Sequence, residues 1–239
     1  MTVDLFLRTY NKDVQWLPFL FRSLCRHARG FRKLIVVTPS ASTDVVKQAV
    51  DRFSSRLVIS GAVSEVVLAE CSVWPDDYNG QQVTKLQAWE YSSADEVLYL
   101  DSDLVLIHDL EPTTRSGIIE VRPWDDAGDA AYWRPITEHL LGVVTPYETM
   151  VRHPFQYPVQ LVRRCLEHIG GVDRFLGLGR TTHFSEFNLL GNYAYLLEHR
   201  SVTCIYWQPE FVKQFYSYDG LTPAVEDVLR DFGYWEDTP

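Results

Sequence analysis

The sequence predicts an α/β protein with a mostly parallel central sheet flanked by helices. Short apolar runs alternate with segments of helical periodicity between residues 3 and 110, in the order β-α-β-α-β-α-β, which is typical of parallel sheets. The run from Val97 to Leu100 is unbroken and apolar, as in a strand buried on both faces. A chain of 239 residues, 46% of them hydrophobic, is long enough for one large domain or two small ones.

The predicted elements alternate regularly in the first half of the chain. Asp13 is a suitable N-cap for the first helix, and Gly30 is a suitable end for it. Strands are predicted over residues 3–10, 34–37, 56–59, 66–68 and 97–100, and helices over residues 13–30, 43–53 and 81–91. Residues 71–80 are predicted to form a turn-rich loop.

The second half has a weaker pattern and many aromatic residues. Strands are predicted over residues 117–121 and 204–207, a polar loop over residues 123–128, and helices over residues 160–169, 185–198 and 221–232. Residues 132–145 are ambiguous. We therefore expect one domain over residues 1–239, with a nucleotide-binding half (residues 1–110) and an aromatic-rich acceptor half (residues 111–239).

Composition narrows the functional classes. The net charge of −10 disfavours a broad nucleic-acid-binding surface, and the basic cluster from Arg22 to Lys33 is interpreted as a solvated helix face. No window approaches the roughly 20 apolar residues of a membrane span, and no signal peptide is expected. The four cysteines are dispersed and indicate reduced thiols, so we expect a cytoplasmic protein without a transmembrane segment.

The most informative motif is Asp101-Ser102-Asp103, which follows the buried apolar run directly. Ligands of parallel sheets collect at the carboxyl ends of the strands. Residues two apart in an extended strand face the same side, so Asp101 and Asp103 can converge on one ligand. Hard cations prefer oxygen ligands and leave positions for substrate phosphates, so the motif predicts a Mn²⁺ or Mg²⁺ site. A polar turn at a strand end is the simpler alternative.

Two further segments could contact a nucleotide. Arg8, Thr9 and Tyr10 end the first strand, where Thr9 could bond a base edge and Tyr10 could stack on the base. An ordinary strand-to-helix turn would explain the same residues. Lys85 lies on the helix that leads to the Asp-x-Asp strand and would neutralise charge on a diphosphate, unless it is an exposed helical lysine.

Glu186 is the candidate catalytic residue of the second half. Ser185 is a good N-cap, and an acid in the first turn is favoured by the helix dipole, so a structural explanation suffices. In the functional hypothesis, Glu186 projects into a cleft between the halves and takes a proton from an acceptor hydroxyl.

In combination, these segments resemble glycosyltransferases of the GT-A fold, the fold of nucleotide-diphospho-sugar transferases. The chain is similar to small bacterial and phage enzymes of this fold and, over residues 81–110, distantly similar in layout to family 8 galactosyltransferase-like enzymes. The segments that carry the resemblance are Arg8-Thr9-Tyr10, Gln81-Gln82-Val83-Thr84-Lys85, Tyr99-Leu100-Asp101-Ser102-Asp103 and Phe184-Ser185-Glu186.

The resemblance implies a role for each segment. Arg8, Thr9 and Tyr10 would bind the donor nucleotide, Asp101 would reach ribose or metal, and Asp103 would bind the metal. Gln82 or Lys85 would contact donor phosphates, where relatives often have arginine. The late His-x-x-Gly-x-x-Lys motif that supplies a metal ligand in family 8 is absent after residue 204.

The expected function is therefore metal-dependent transfer of a sugar from a nucleotide-sugar donor, with a UDP-sugar favoured, to a hydroxyl acceptor. The acceptor would be a glycan, a lipid-linked precursor or a small molecule. Two alternatives stay open: the same chemistry on a hydroxymethylated pyrimidine in phage DNA, and nucleotidyl transfer. A catalytically inactive binding module is a further possibility.

Overall fold

The structure is a computed structural model that describes residues 1–151, 153–176, 178, 183–201, 203–204, 211–216 and 220–235. The predicted α/β class is confirmed. A mostly parallel five-stranded sheet, flanked by helices, has the strand order β3-β2-β1-β4-β8. Its strands are β1 (Val3–Arg8), β2 (Phe31–Pro39), β3 (Val63–Cys71), β4 (Glu96–Leu100) and β8 (Phe155–Pro158).

Burial explains why the central strands form where the apolar runs predict them. All six residues of β1 are buried, and all five residues of β4 are buried. β1 and β3 both pair in parallel with β2. The central strands thus end at one edge of the sheet, which is where a parallel sheet presents its loops for ligand binding.

The remaining strands are short. They are β5 (Leu104–Leu106), β6 (Glu120–Pro123), β7 (Tyr147–Glu148), β9 (Thr203–Cys204) and β10 (Val212–Gln214). β5 pairs antiparallel with β10, and β6 lies between β7 and β9. The strand predicted over residues 117–121 is shifted to β6, and residues 205–207 of the other predicted strand lie outside the described residues.

The helices of the described chain follow the predicted order. They are α1 (Leu17–His27), α2 (Thr43–Ile59), α3 (Asp77–Leu86), α4 (Ala88–Tyr91), α5 (Arg134–Leu141), α6 (Val159–Ile169), α7 (Asp173–Leu176), α8 (Glu186–Leu196) and α9 (Pro223–Asp231). A 3₁₀ turn over Asn11–Trp16 precedes α1. The ambiguous region 132–145 contains α5.

Three predictions in the first half are wrong. Asp13 lies within the 3₁₀ turn and does not cap α1. Residues 56–59 belong to α2, because Phe53 and Leu57 continue its buried face while Ile59 is 85% exposed. The apolar run at its end is therefore the last turn of a helix. The loop predicted over residues 71–80 is shorter, because Asp76 caps α3 by accepting from the backbone nitrogens of Tyr78 and Asn79.

The chain divides into two compact units. The β1 unit comprises Thr2–Cys71, Tyr99–Thr114 and Glu210–Pro239, and the α8 unit comprises Met1, Ser72–Leu98 and Arg115–Pro209. Each unit therefore takes residues from both halves of the sequence.

A small apolar cluster holds α9 in the β1 unit. Phe19, Val105, Leu229 and Tyr234 form its buried part. The Tyr234 hydroxyl donates to the Leu106 carbonyl oxygen at 2.7 Å, so the chain after α9 is bonded to β5. Burial raises the pKa of Tyr234 from 10.0 to about 12.

We predict that Tyr234 gives the protein a stability that is lost in alkali. The folded protein holds the phenol proton more tightly, so the unfolded chain ionises first as the pH rises. At neutral pH, Tyr234→Phe should lower the free energy of unfolding by about 1 kcal/mol, the value of one hydrogen bond. The difference in unfolding free energy between the parent protein and Tyr234→Phe should be fully present below pH 10.0 and disappear towards about pH 12. Urea unfolding of both proteins across this range measures it, and a difference that does not change with pH contradicts the prediction.

Candidate functional site

The end of β1 and the Asp-Ser-Asp turn are in direct contact within the β1 unit. The Ser102 hydroxyl donates to Thr9 Oγ1 at 2.9 Å, and both side chains are buried. Thr9 is itself fixed to the sheet, because its backbone nitrogen donates to the Val37 carbonyl oxygen at 3.0 Å. The structure therefore brings the predicted base-contacting residue together with the predicted metal motif, which are 93 residues apart in the chain.

The motif itself has a different local structure from the one expected. Ser102 and Asp103 form a turn between β4 and β5, so the strand alternation used to predict convergent carboxylates does not apply. Asp101 is half-buried and Asp103 is buried. That the two carboxylates bind the same metal ion stays a prediction.

The last residue of β10 and the residue after it also contact the turn. The backbone nitrogen of Phe215 donates to the Asp103 carbonyl oxygen at 2.9 Å, and the Gln214 amide lies 3.5 Å from Asp103 Oδ1. Gln214 pairs with Leu104 in the antiparallel ladder. No local pattern in the sequence points to Gln214 as a neighbour of the motif, because 111 residues separate the two positions.

Arg8 and Tyr10 form a stacked pair beside Thr9. The Arg8 side chain is buried, and its guanidinium lies 5.5 Å from the centre of the Tyr10 ring. Tyr10 is half-buried. Arginine packed on an aromatic face restrains the ring, and a restrained ring loses little entropy when a flat ligand stacks on it. The arrangement is compatible with the predicted base contact.

The α8 unit contains a second group of predicted residues. Lys85 Nζ lies 2.7 Å from Glu186 Oε1, and their side chains are 4% and 1% exposed. With its amide nitrogen turned towards this carboxylate, Gln82 donates to both oxygens, at 3.0 Å to Oε1. Lys85 also lies 4.9 Å above the Phe187 ring. The structure thus joins Gln82, Lys85 and Glu186 in one buried cluster.

Helix caps place the members of this cluster. Gln82 and Lys85 are three residues apart on α3 and so share a face of it. Glu186 is the first residue of α8, and the Ser185 hydroxyl accepts from the Asn188 backbone nitrogen at 3.1 Å, which confirms the predicted cap. The spacing on α3 indicates that Gln82 and Lys85 can lie side by side. No local pattern indicates their contact with Glu186, which is about a hundred residues away in the chain.

Lys85 and Glu186 are both buried, and this limits the functions that they can have. The interpretation of Lys85 as an exposed helical lysine is wrong, because Glu186 compensates its charge in the interior. A carboxylate that accepts from a lysine and an amide already has a structural function. The roles of Glu186 as general base and of Gln82 and Lys85 in donor binding stay predictions.

The Asp-Ser-Asp turn contains two carboxylates, which are oxygen donors of the type that hard cations prefer. In the part of the chain that the structure describes, no group of three or more His, Cys, Asp or Glu side chains could hold a metal ion. Two carboxylates with donor phosphates are nevertheless a common way to bind Mg²⁺. A divalent cation bound by Asp101 and Asp103 together with a diphosphate therefore stays a prediction.

Comparison of the chain with protein-family models and with curated proteins gave no match. The described helices include none with the length and hydropathy needed to cross a membrane.

We predict that the buried pair is sensitive to the loss of one partner. Glu186→Gln should lower the free energy of unfolding by about 3–5 kcal/mol, because it leaves a buried lysine without this counter-charge. The double variant Lys85→Met, Glu186→Gln should recover most of the lost unfolding free energy, since neither buried charge of the pair remains. Urea unfolding measures both variants.

Asp51→Asn is the matched control for this prediction. It neutralises the acid of an exposed pair with Lys47 and should cost at most about 1 kcal/mol. If Asp51→Asn and Glu186→Gln lower the free energy of unfolding equally, the result contradicts a structural role for the buried pair.

Proposed function

We propose that this protein is a metal-dependent glycosyltransferase of the GT-A type, which moves a sugar from a nucleotide-sugar donor, with a UDP-sugar favoured, to a hydroxyl acceptor. The contact between Ser102 and Thr9 is the observation that carries the proposal. It joins the end of β1, where the nucleotide base would bind, to the turn that carries both candidate metal ligands. Strand ends of a mostly parallel sheet are the usual place for such a ligand.

In this proposal the residues of the β1 unit hold the donor. Thr9 and the Arg8–Tyr10 pair bind the base, while Asp101 and Asp103 offer oxygen ligands beside the diphosphate. A bound divalent cation supplies Lewis-acid stabilisation of the negative charge that develops on the departing nucleoside diphosphate. Asp103 is the better candidate for a fixed ligand, because Phe215, the residue after β10, donates to its backbone carbonyl oxygen.

Glu186 is the candidate residue on the acceptor side. Glu186 would accept the hydroxyl proton in an inverting reaction. Its buried contacts with Lys85 and Gln82 support a structural role as well, so the variant Glu186→Gln has to be tested for turnover and for stability separately.

We predict that Mn²⁺ and UDP together raise the melting temperature much more than the sum of their separate effects. The two carboxylates provide few ligands, so tight binding needs the phosphate oxygens. Thermal shift with UDP-, GDP-, CMP- and dTDP-sugars, with and without Mn²⁺, measures this. Equal stabilisation by UDP in excess chelator contradicts the role of the metal.

We predict that Asp103→Asn removes this joint stabilisation and abolishes transfer, with little change in the melting temperature of the free protein. Asparagine keeps an oxygen for the contact with Gln214 but loses the charge that binds the cation. The matched control is Asp109→Asn, the same change at an exposed acid on the same segment. Normal turnover by Asp103→Asn would make the motif a structural turn.

We predict that Glu186→Gln lowers the turnover number by roughly 10² to 10⁴ if Glu186 is the general base. The assay is done at a temperature where circular dichroism shows the variant to be folded, and UDP affinity is measured in parallel. An unchanged turnover number, or a product with retained anomeric configuration, contradicts the base role and leaves Glu186 a structural residue.

A further inference from the structure

Tyr216 combines a strained backbone with an exposed ring, close to the Asp-Ser-Asp turn in the β1 unit. Its φ angle is 54°, in the left-handed region, and it is 64% exposed. A bulky residue is seldom found in this region, because its Cβ lies too close to the following carbonyl oxygen. Asparagine or glycine would adopt the same conformation with less strain, so the choice of tyrosine at this position needs a reason.

The end of a helix does not supply that reason. In the part of the chain that the structure describes, Tyr216 and His199 are the two residues other than glycine with a positive φ. His199 lies where the chain leaves α8, and the Arg200 nitrogen donates to the Ala194 carbonyl oxygen at 3.0 Å there. A left-handed residue is common at helix ends, and histidine adopts the conformation more often than most residues. Tyr216, in contrast, follows shortly after the strand β10.

The residue before Tyr216 is fixed by two contacts. The Phe215 nitrogen donates to the Asp103 carbonyl oxygen at 2.9 Å, and the Phe215 ring stacks on Trp16 with ring centres 5.7 Å apart. Trp16 is 1% exposed, so this stack is anchored in the interior. A strained conformation persists where the surrounding contacts determine the backbone, and such conformations are concentrated at active sites and ligand sites.

Packing of the ring within the protein accounts for little of the strain. A single exposed aromatic residue is ordinary on a protein surface. At Tyr216, however, a largely exposed ring coincides with a backbone conformation that disfavours a bulky residue. A contact between this ring and a bound ligand would offset the strain, whereas exposure to water would not.

The position of Tyr216 indicates which part of the proposed donor it would meet. In the proposed site, Thr9 and Tyr10 lie at the nucleotide base, and the diphosphate lies beside Asp103. Phe215 is bonded to Asp103, so Tyr216 is one residue away from a direct contact with the turn. In a nucleotide sugar, the sugar is attached to the diphosphate at the end opposite the nucleoside. The sugar is therefore the part of the donor nearest to Tyr216 that the other residues do not already contact.

We propose that Tyr216 is a specificity-determining residue whose ring packs against the sugar of the donor, an inference that rests on the proposed function. An aromatic ring offers a broad apolar face, and the C–H groups of a sugar ring form an apolar face of similar size, so their contact removes apolar surface from water. Because Phe215 fixes the adjoining backbone before the donor binds, little ordering is needed to form this contact.

The strain is tested first, on the free protein and without any ligand. Tyr216→Asn should raise the melting temperature by about 2–4 °C, because asparagine tolerates the left-handed conformation and the exposed ring contributes little packing. Tyr132→Asn is the matched control. It makes the same change at a tyrosine that is 54% exposed and is not among the residues with a positive φ, so it should not raise the melting temperature.

Binding is then measured by isothermal titration calorimetry with Mn²⁺ and no acceptor. The ligands are UDP, UDP-glucose, UDP-galactose and UDP-N-acetylglucosamine. Tyr216→Asn should bind UDP as the parent protein does, and should bind the parent's preferred UDP-sugar about five- to tenfold more weakly, the effect of one ring contact. Tyr216→Phe keeps the ring and Tyr132→Asn leaves the site intact, so both should bind UDP and the UDP-sugar as the parent does.

The results separate this inference from the proposed function. If the parent protein does not bind UDP with Mn²⁺, both are overturned. If it binds UDP but Tyr216→Asn weakens UDP and the UDP-sugar equally, or weakens neither, the sugar contact alone is overturned. A lower melting temperature for Tyr216→Asn would also overturn it, because the ring would then be a packing residue. Equal weakening of the UDP-sugar by Tyr216→Phe and Tyr216→Asn would overturn the role of the ring.

Discussion

The hydroxyl contact between Ser102 and Thr9 is the constraint on which the account of the site depends. Both side chains are buried, so the hydrogen bond joins the end of β1 to the turn after β4 where water does not compete for it. The bond between Phe215 and Asp103 fixes the same turn from β10. A turn held from two sides can present carboxylates with little loss of entropy on binding, which a loose loop could not do.

The buried pair of Lys85 and Glu186 contains both a structural contact and the proposed general base. Taking two charges out of water is expensive, and the pair is tolerated because Gln82 and Phe187 complete its surroundings. A general base must be able to take a proton, and the Glu186 carboxylate already accepts from a lysine and an amide. Separate measurements of stability and turnover are therefore essential at Glu186.

The strands β1 to β4 of the central sheet could be predicted from the sequence because their signals are local, whereas β8 was not predicted. The run from Val97 to Leu100 is completely buried, as its unbroken apolar character indicates. The error at the end of α2 has a local origin too, since Ile59 looks like a strand residue but is an exposed residue of a helix end. The neighbours of the candidate site, such as Gln214, come from distant parts of the chain. Periodicity and spacing contain no information on such pairs, so chemistry at a strand end could be predicted but its supporting contacts could not.

Release of nucleoside diphosphate from a labelled nucleotide sugar tests the central claim most directly. The purified chain is incubated with UDP-sugars labelled in the sugar, with Mn²⁺ or with chelator, and free sugar or product is separated from donor. The account predicts release that requires the metal and that is lost in Asp101→Asn, because in the proposal Asp101 reaches the metal or the ribose of the donor. Release that is equally fast in chelator, or that is unaffected by Asp101→Asn, would contradict it.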